Sequence, residues 1–253
     1  MISSYKNLLA ALLIVLLSAS CSSRWQIVQT TASKIAVDSS CDSLADRDYE
    51  AYLLPYKQAI DDNLNTVIGH SAVTMSAARP ESLLSNFSAD IMRESLRNNF
   101  DSVVDIAIVN IGGLRSTIPQ GPVTLKNIFE LMPFENELVV LWIRGDILME
   151  IFDIIARLGG EGLSGARMGI DEGKAVKVEI NGKAIRPEAL YSVATNDFLA
   201  GGNDKLAPLT KHEKRWDTGL KIRDVYANFI RKQTKEGKNI DAQLDRRIYY
   251  VEK

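Results

Sequence analysis

Two phenylalanines in this chain stand where apolar rings are not expected. Phe134 lies between Pro133 and Glu135, and Phe198 between Asp197 and Leu199, each in an otherwise polar loop. Such rings either plug the edge of a core or offer a flat face to a planar ligand, and stacking on a nucleobase contributes about 1–3 kcal/mol per base. Glycine pairs stand near both the guanidinium of Arg115 and the ring of Phe198, as Gly112-Gly113 and Gly201-Gly202. Glycines let backbone approach a ligand closely, and arginine offers a planar fork to phosphate oxygens. Base, sugar and phosphate thus each have a matching residue type.

Other chemistries fit the residues less well. A two-metal hydrolase needs several His, Asp and Asn ligands. The chain has two histidines, His70 and His212, far apart and without a ligand at metal-binding spacing, so no divalent cofactor is expected on it. There is no Gly-x-Ser-x-Gly elbow, and Cys41 has no base near it in sequence. No catalytic residue is assigned. A formal charge of −2 gives no electrostatic case for nucleic acid.

The first twenty residues read as a targeting segment. Lys6 precedes the apolar run Leu8 to Leu17, followed by Ser18-Ala19-Ser20-Cys21. That is a basic start, an apolar stretch short for a bilayer span, and a small-residue cleavage site ending on cysteine. It looks like a bacterial lipoprotein signal over 1–20, with Cys21 lipidated. The expected location is the outer membrane, facing the periplasm. Acylation of Cys21 would leave Cys41 without a disulfide partner.

Elements that position the candidate residues can be read from spacing. Residues 21–66 are expected to form a tether, an early strand within Trp25 to Val37, and a helix through Tyr49, Leu53, Tyr56 and Ile60 interrupted or bent by Pro55. Residues 67–253 are expected to form the main domain. Val67 to His70 reads as a strand, Pro80 as the first turn of a helix carrying Leu84, Phe87 and Ile91, and Asp105 to Asn110 as a buried strand ending at Gly112-Gly113. Thr124 caps a short helix, Leu138 to Ile143 is a strand, and Gly145-Asp146 opens a periodic helix through Leu158. Val176 to Ile180 leads into an Asn181-Gly182 hairpin turn. A last helix runs through Leu220, Ile222, Val225 and Phe229, and Ile248 to Val251 is a closing strand. Helices and strands interleave without a βαβ repeat, which indicates α+β with mixed sheets.

Three ordered pieces, Asn110 to Arg115, Pro133 to Asn136 and Asn196 to Gly202, resemble the C-terminal domain of the 5'-nucleotidase / UDP-sugar hydrolase family, from about Val67 to the C-terminus. The resemblance implies that Phe134 and Phe198 clamp the base and that Arg115, with Gly112 and Gly113, lies near the phosphate. It places Asn136 as a polar base contact and Ser164-Gly165 beside the base. Where the family has Gly-Gly-Asp, with the Asp on the ribose, this chain has Gly201-Gly202-Asn203-Asp204, so the contact falls to Asn203 or, after a one-residue shift, to Asp204. Arg79 stands in imperfect register with the family's arginines before the helix near Glu81. Cys21 and Val67 are separated by about 45 residues, too few for a metallophosphatase domain.

The expected function is therefore the nucleotide-binding, substrate-specificity part of a split 5'-nucleotidase. Its ligand would be AMP-like or a nucleoside diphosphate sugar, with divalent metals on a separate metallophosphatase subunit. The alternatives are a periplasmic nucleotide- or nucleoside-binding lipoprotein and a degenerate structural lipoprotein without catalysis.

Overall fold

A computed structural model describes residues 25–44, 46–100 and 103–252. The lipoprotein signal and Cys21 lie outside the described residues. Contacts divide the chain into two units, with the boundary between Tyr52 and Leu53. This is earlier than residue 67 and falls inside the helix Arg47–Leu64; two residues past that helix, Thr66 O accepts from Leu125 N–H at 3.0 Å within the second unit.

In the first unit, residues 25–37 have no regular structure, and Trp25, Ile27, Val28, Ile35 and Val37 are exposed. The strand expected there does not form. A β-branched pattern becomes a strand only when a neighbouring edge accepts its hydrogen bonds, and none among the described residues does so. After a 3-10 turn at Ser39–Leu44, helix α1 spans Arg47–Leu64 without interruption at Pro55.

The second unit then proceeds through β1 (Val67–Ser71), α2 (Leu83–Phe100), β2 (Ile106–Val109), β3 (Gly121–Thr124), α3 (Leu125–Leu131), β4 (Glu137–Arg144) and α4 (Gly145–Arg157). It continues with β5 (Gly162–Ser164), β6 (Ala166–Asp171), β7 (Lys174–Ile180), β8 (Lys183–Ala184), β9 (Leu190–Asn196), α5 (Asp197–Ala200), β10 (Lys214–Lys221), α6 (Ile222–Lys235) and β11 (Ile248–Tyr250). The architecture is α+β. A five-stranded sheet, ordered β10-β4-β9-β2-β5, accompanies a four-stranded sheet, β11-β6-β7-β8, and the pair β1-β3. Strands β2 and β9, and β6 and β11, pair in parallel, which makes the two larger sheets mixed.

Strands β2, β4 and β9 of the five-stranded sheet are buried on both faces, and the period-two alternation of a strand sorts their side chains between two cores. Ala107, Val109, Val140 and Ala194 join Leu84, Phe87 and Ile91 of α2 and Val225, Tyr226 and Ile230 of α6. Ile106, Ile108, Val139, Leu141 and Val193 join Leu148, Ile151, Phe152 and Ile155 of α4 with Met168 and Ile170 of β6. Every strand of this sheet that leads to the cavity described below therefore has both sides fixed.

Helix starts follow side-chain caps. Thr124 Oγ1 accepts from Asn127 N–H while Asn127 Oδ1 accepts from Thr124 N–H, a reciprocal capping box for α3. Pro80 is not in the first turn of α2. The Ser82 hydroxyl takes the Ser85 N–H at 3.1 Å and Ser85 Oγ returns the bond to Ser82 N–H, so the serine cap sets the start two residues later. Asn181 and Gly182 have φ of 49° and 73°, as the hairpin between β7 and β8 requires.

Candidate functional site

The ends of β2, β4 and β9 deliver three loops to one side of the five-stranded sheet. Between them lies a cavity of about 360 Å³ lined by Asn110, Gly112, Gly113, Arg115, Phe134, Asn136, Phe198 and Asp204. All but two of the binding residues expected from sequence thus meet in one place. Phe134 and Phe198 are 47% and 41% exposed, so neither ring is absorbed into the core.

Each wall is held by identifiable bonds. The Phe134 loop is pinned to the start of α6 by three contacts. Ile222 N–H donates to Asn136 O at 3.0 Å, Lys221 Nζ to Glu135 O at 3.2 Å, and Arg223 Nη2 to Glu135 Oε1. The Arg223 guanidinium also lies 4.0 Å over the Phe129 ring centre. The Phe198 segment is not an open loop but a short helix. Asn196 Oδ1 accepts from Leu199 N–H at 2.6 Å as its cap, and Gly201 and Gly202 N–H groups close it onto Asp197 O and Leu199 O. Asp197 Oδ1 accepts from both Phe198 N–H (2.9 Å) and Glu137 N–H (3.2 Å), which fixes one aromatic loop against the other.

A buried amide relay forms the floor. Asn196 Nδ2 donates to Asn110 Oδ1 at 3.1 Å, and Asn110 Nδ2 donates to Asp204 Oδ2 at 2.6 Å. Asn110 is 6% exposed and Asp204 is exposed, so the relay carries orientation from the sheet to a residue that lines the cavity. A Cβ on Gly113 would stand 2.9 Å from Asn110 Oδ1, so any side chain there would displace this amide. Arg115 is exposed, lines the cavity and donates through Nη1 to Gly112 O at 3.2 Å.

Two of the sequence assignments fall elsewhere. Asn203 is not a wall residue: its amide donates to Phe198 O at 2.8 Å and closes the turn. Asp204, at φ 52°, is the residue that reaches the cavity, the one-residue shift noted above. Gly165 is also outside the cavity, in a separate depression with Asp90, Arg93 and Arg247. Its φ is +76° and a Cβ would stand 2.2 Å from Asp105 O, so chain geometry alone accounts for a glycine at that turn.

Sequence reasoning overlooked Asn110 and Asn196 as site members, although both begin quoted motifs. It also overlooked Glu161, 4% exposed, whose carboxylate accepts from Arg79 Nη2 and from Ile111 N–H at the start of the glycine turn. Burial raises the Glu161 carboxyl above its ordinary value, the Ile111 and Arg79 contacts opposing this and nearby Asp204 adding to it. An isolated Glu after Gly159-Gly160 carries no sequence signal of such a position.

Among the described residues no group of three or more His, Cys, Asp or Glu could hold a metal ion. His70 is exposed, and His212 Nδ1 lies 2.9 Å from Leu209 O. No described helix is long and apolar enough to cross a membrane.

The fold and cavity define a class: an α+β domain that builds a cavity from three loops at one end of a mixed sheet. Its family follows from comparison. A family model described as the 5'-nucleotidase, C-terminal domain matches residues 67–212, more than half of the chain, and the chain belongs to that family. A 5'-nucleotidase precursor from Thermus thermophilus superposes with a TM-score of 0.70 at 28% identity, over 84% of this chain and 45% of that one. The Haemophilus influenzae NAD nucleotidase shares the fold, with a TM-score of 0.61 at 23% identity over 82% of this chain and 42% of its own. An endonuclease of Bacillus subtilis is 29% identical over 229 residues, which is 84% of this chain and 18% of that protein. A Vibrio cholerae 5'-nucleotidase is 23% identical over 184 residues, 71% of this chain and 33% of its own length. The chain thus spans about a third or less of these two curated relatives.

Proposed function

We propose that the chain is the nucleotide-holding, specificity-determining part of a 5'-nucleotidase, with the divalent metals and the hydrolytic step belonging to a metallophosphatase subunit outside it. The single observation that carries this reading is the cavity, where two exposed phenylalanines, an amide-held carboxylate and an arginine converge. Phe134 and Phe198 stack on the base, Asn136 contacts its edge, Asp204 takes the ribose hydroxyls and Arg115 meets the phosphate side. The lipoprotein-like sequence ending at Cys21 supports an anchor in the outer membrane, facing the periplasm, where such a pair would degrade nucleotides.

The test is calorimetric titration of the full-length chain with AMP, accompanied by a phosphate-release assay in Mn²⁺. Saturable binding without phosphate release by the chain alone is expected. Phe134→Ala and Phe198→Ala should each weaken binding by about 5- to 150-fold, the equivalent of losing one stacked face. Rapid AMP hydrolysis by the chain alone would overturn the split arrangement, and unchanged affinity in both variants would overturn the clamp.

A further inference from the structure

The wall behind the glycine turn contains an internal anion. Arg79 and the Ile111 N–H, a cation and a backbone donor at the start of a short turn, together form the sort of site that takes a phosphate oxygen. Both converge instead on the carboxylate of Glu161. That carboxylate is buried, 4% exposed, and held by both donors. The cavity itself holds Arg115 and Asp204. Arg79 is thus paired with Glu161, and Arg115 shares the cavity with Asp204.

We infer that this site recognises the base and sugar of its ligand and gains little from the phosphate, so that a nucleoside and its monophosphate bind with similar affinity. The inference rests on the reading of the cavity as a nucleotide site and narrows its ligand class. A dianion finds little net attraction here, because Arg79 is already paired with Glu161 and Arg115 shares the cavity with Asp204. Stacking on two rings and hydrogen bonds to Asp204 and Asn136 are unaffected by the phosphate. In a two-subunit hydrolase this arrangement leaves phosphate recognition to the metal-bearing subunit. It also makes the product nucleoside a competitor of its own precursor.

Glu161 is the residue that sets this balance. Replacing it by Gln keeps an oxygen acceptor for Ile111 N–H while removing the charge, which leaves Arg79 uncompensated beside the turn. The experiment is calorimetric titration of the full-length wild type and Glu161→Gln with adenosine and with AMP, with a thermal melt on each protein. Wild-type dissociation constants for the two ligands should agree within about threefold. Glu161→Gln should tighten AMP by about tenfold and leave adenosine unchanged, as expected for one unpaired charge near a dianion. A wild type that binds AMP about tenfold tighter than adenosine, or more, overturns the inference, and does so even if the variant fails to fold. An unchanged ratio in a folded variant overturns the role of Glu161. Failure of both ligands to bind the wild type would instead overturn the reading of the cavity, and the inference with it.

Discussion

Arg223→Ala tests how the Phe134 wall is held. The Arg223 side chain is 14% exposed, lies 4.0 Å over the Phe129 ring centre and pairs with Glu135, whose own side chain is 66% exposed. A largely desolvated cation–π contact contributes about 1–2 kcal/mol. The ion pair adds little, about 0.5 kcal/mol after solvent screening of the exposed Glu135. Packing of the aliphatic stem adds about 1 kcal/mol. Truncation should therefore cost about 2.5–3.5 kcal/mol, which lowers Tm by about 5–14 °C for a unit of this size. The loop keeps its bonds from Lys221 and Ile222, so the fold survives while Phe134 loses preorganisation. AMP affinity should fall about three- to tenfold. Arg223→Lys should recover less than half of the loss, since an ammonium keeps the charge without the planar stack. Differential scanning calorimetry and titration read both quantities. A Tm within about 1 °C of wild type, or full recovery by lysine, would refute this account of the wall.

Other substitutions probe separate elements. Asn196→Ala removes the cap on Leu199 N–H and the donor to Asn110, and should cost about 2–3 kcal/mol in urea unfolding while weakening AMP. Gly165→Ala forces a Cβ against Asp105 O and should lower stability by about 2 kcal/mol or more, in the order of a strained positive-φ site, while leaving AMP affinity per folded molecule unchanged. Arg247 bonds Asp90, Asp245 and Leu163 O at 2.8 Å each. Arg247→Ala should cost about 2–3 kcal/mol in thermal or urea unfolding, chiefly from the buried stem and the stranded carbonyl, since both carboxylates are half exposed and screened. Glu161 gives a pH signature. Its carboxyl is held above 4.5, so the folded chain binds more protons than the unfolded one, and stability from this group is lost as pH rises through the raised value. The stability of wild type relative to Glu161→Gln should fall as pH rises above the ordinary carboxyl value. A difference that rises or stays flat would contradict that sign.

The fold was legible wherever one physical signal acted alone. The period of α4, the Thr124 cap and the Asn181-Gly182 turn each stand at their expected places. Strand β9 was nearly invisible because Ser192 and Thr195 interrupt its apolar pattern. Both are buried, and their hydroxyls are satisfied by Asp105 and by Ile108 O, which a sequence does not announce. Strand β10 was missed for the opposite reason. As an edge strand it carries Lys214, Arg215, Asp217 and Lys221, charges that guard an unpaired edge and hide alternation. In the site, the rings and Arg115 were legible from type and motif. Asn203 and Asp204 were not separable, because a positive φ at Asp204 decides which of them turns inward.

In the proposed site two rings, Phe134 and Phe198, hold one base between them. The most direct measurement is a double-mutant cycle on AMP affinity with Phe134→Ala, Phe198→Ala and the double variant. A two-sided clamp predicts that the second truncation costs less than the first by at least about 0.5 kcal/mol, since a base freed on one face no longer sits squarely on the other. Strict additivity, or a single variant with no effect, would mean that the rings act separately and would contradict the clamp.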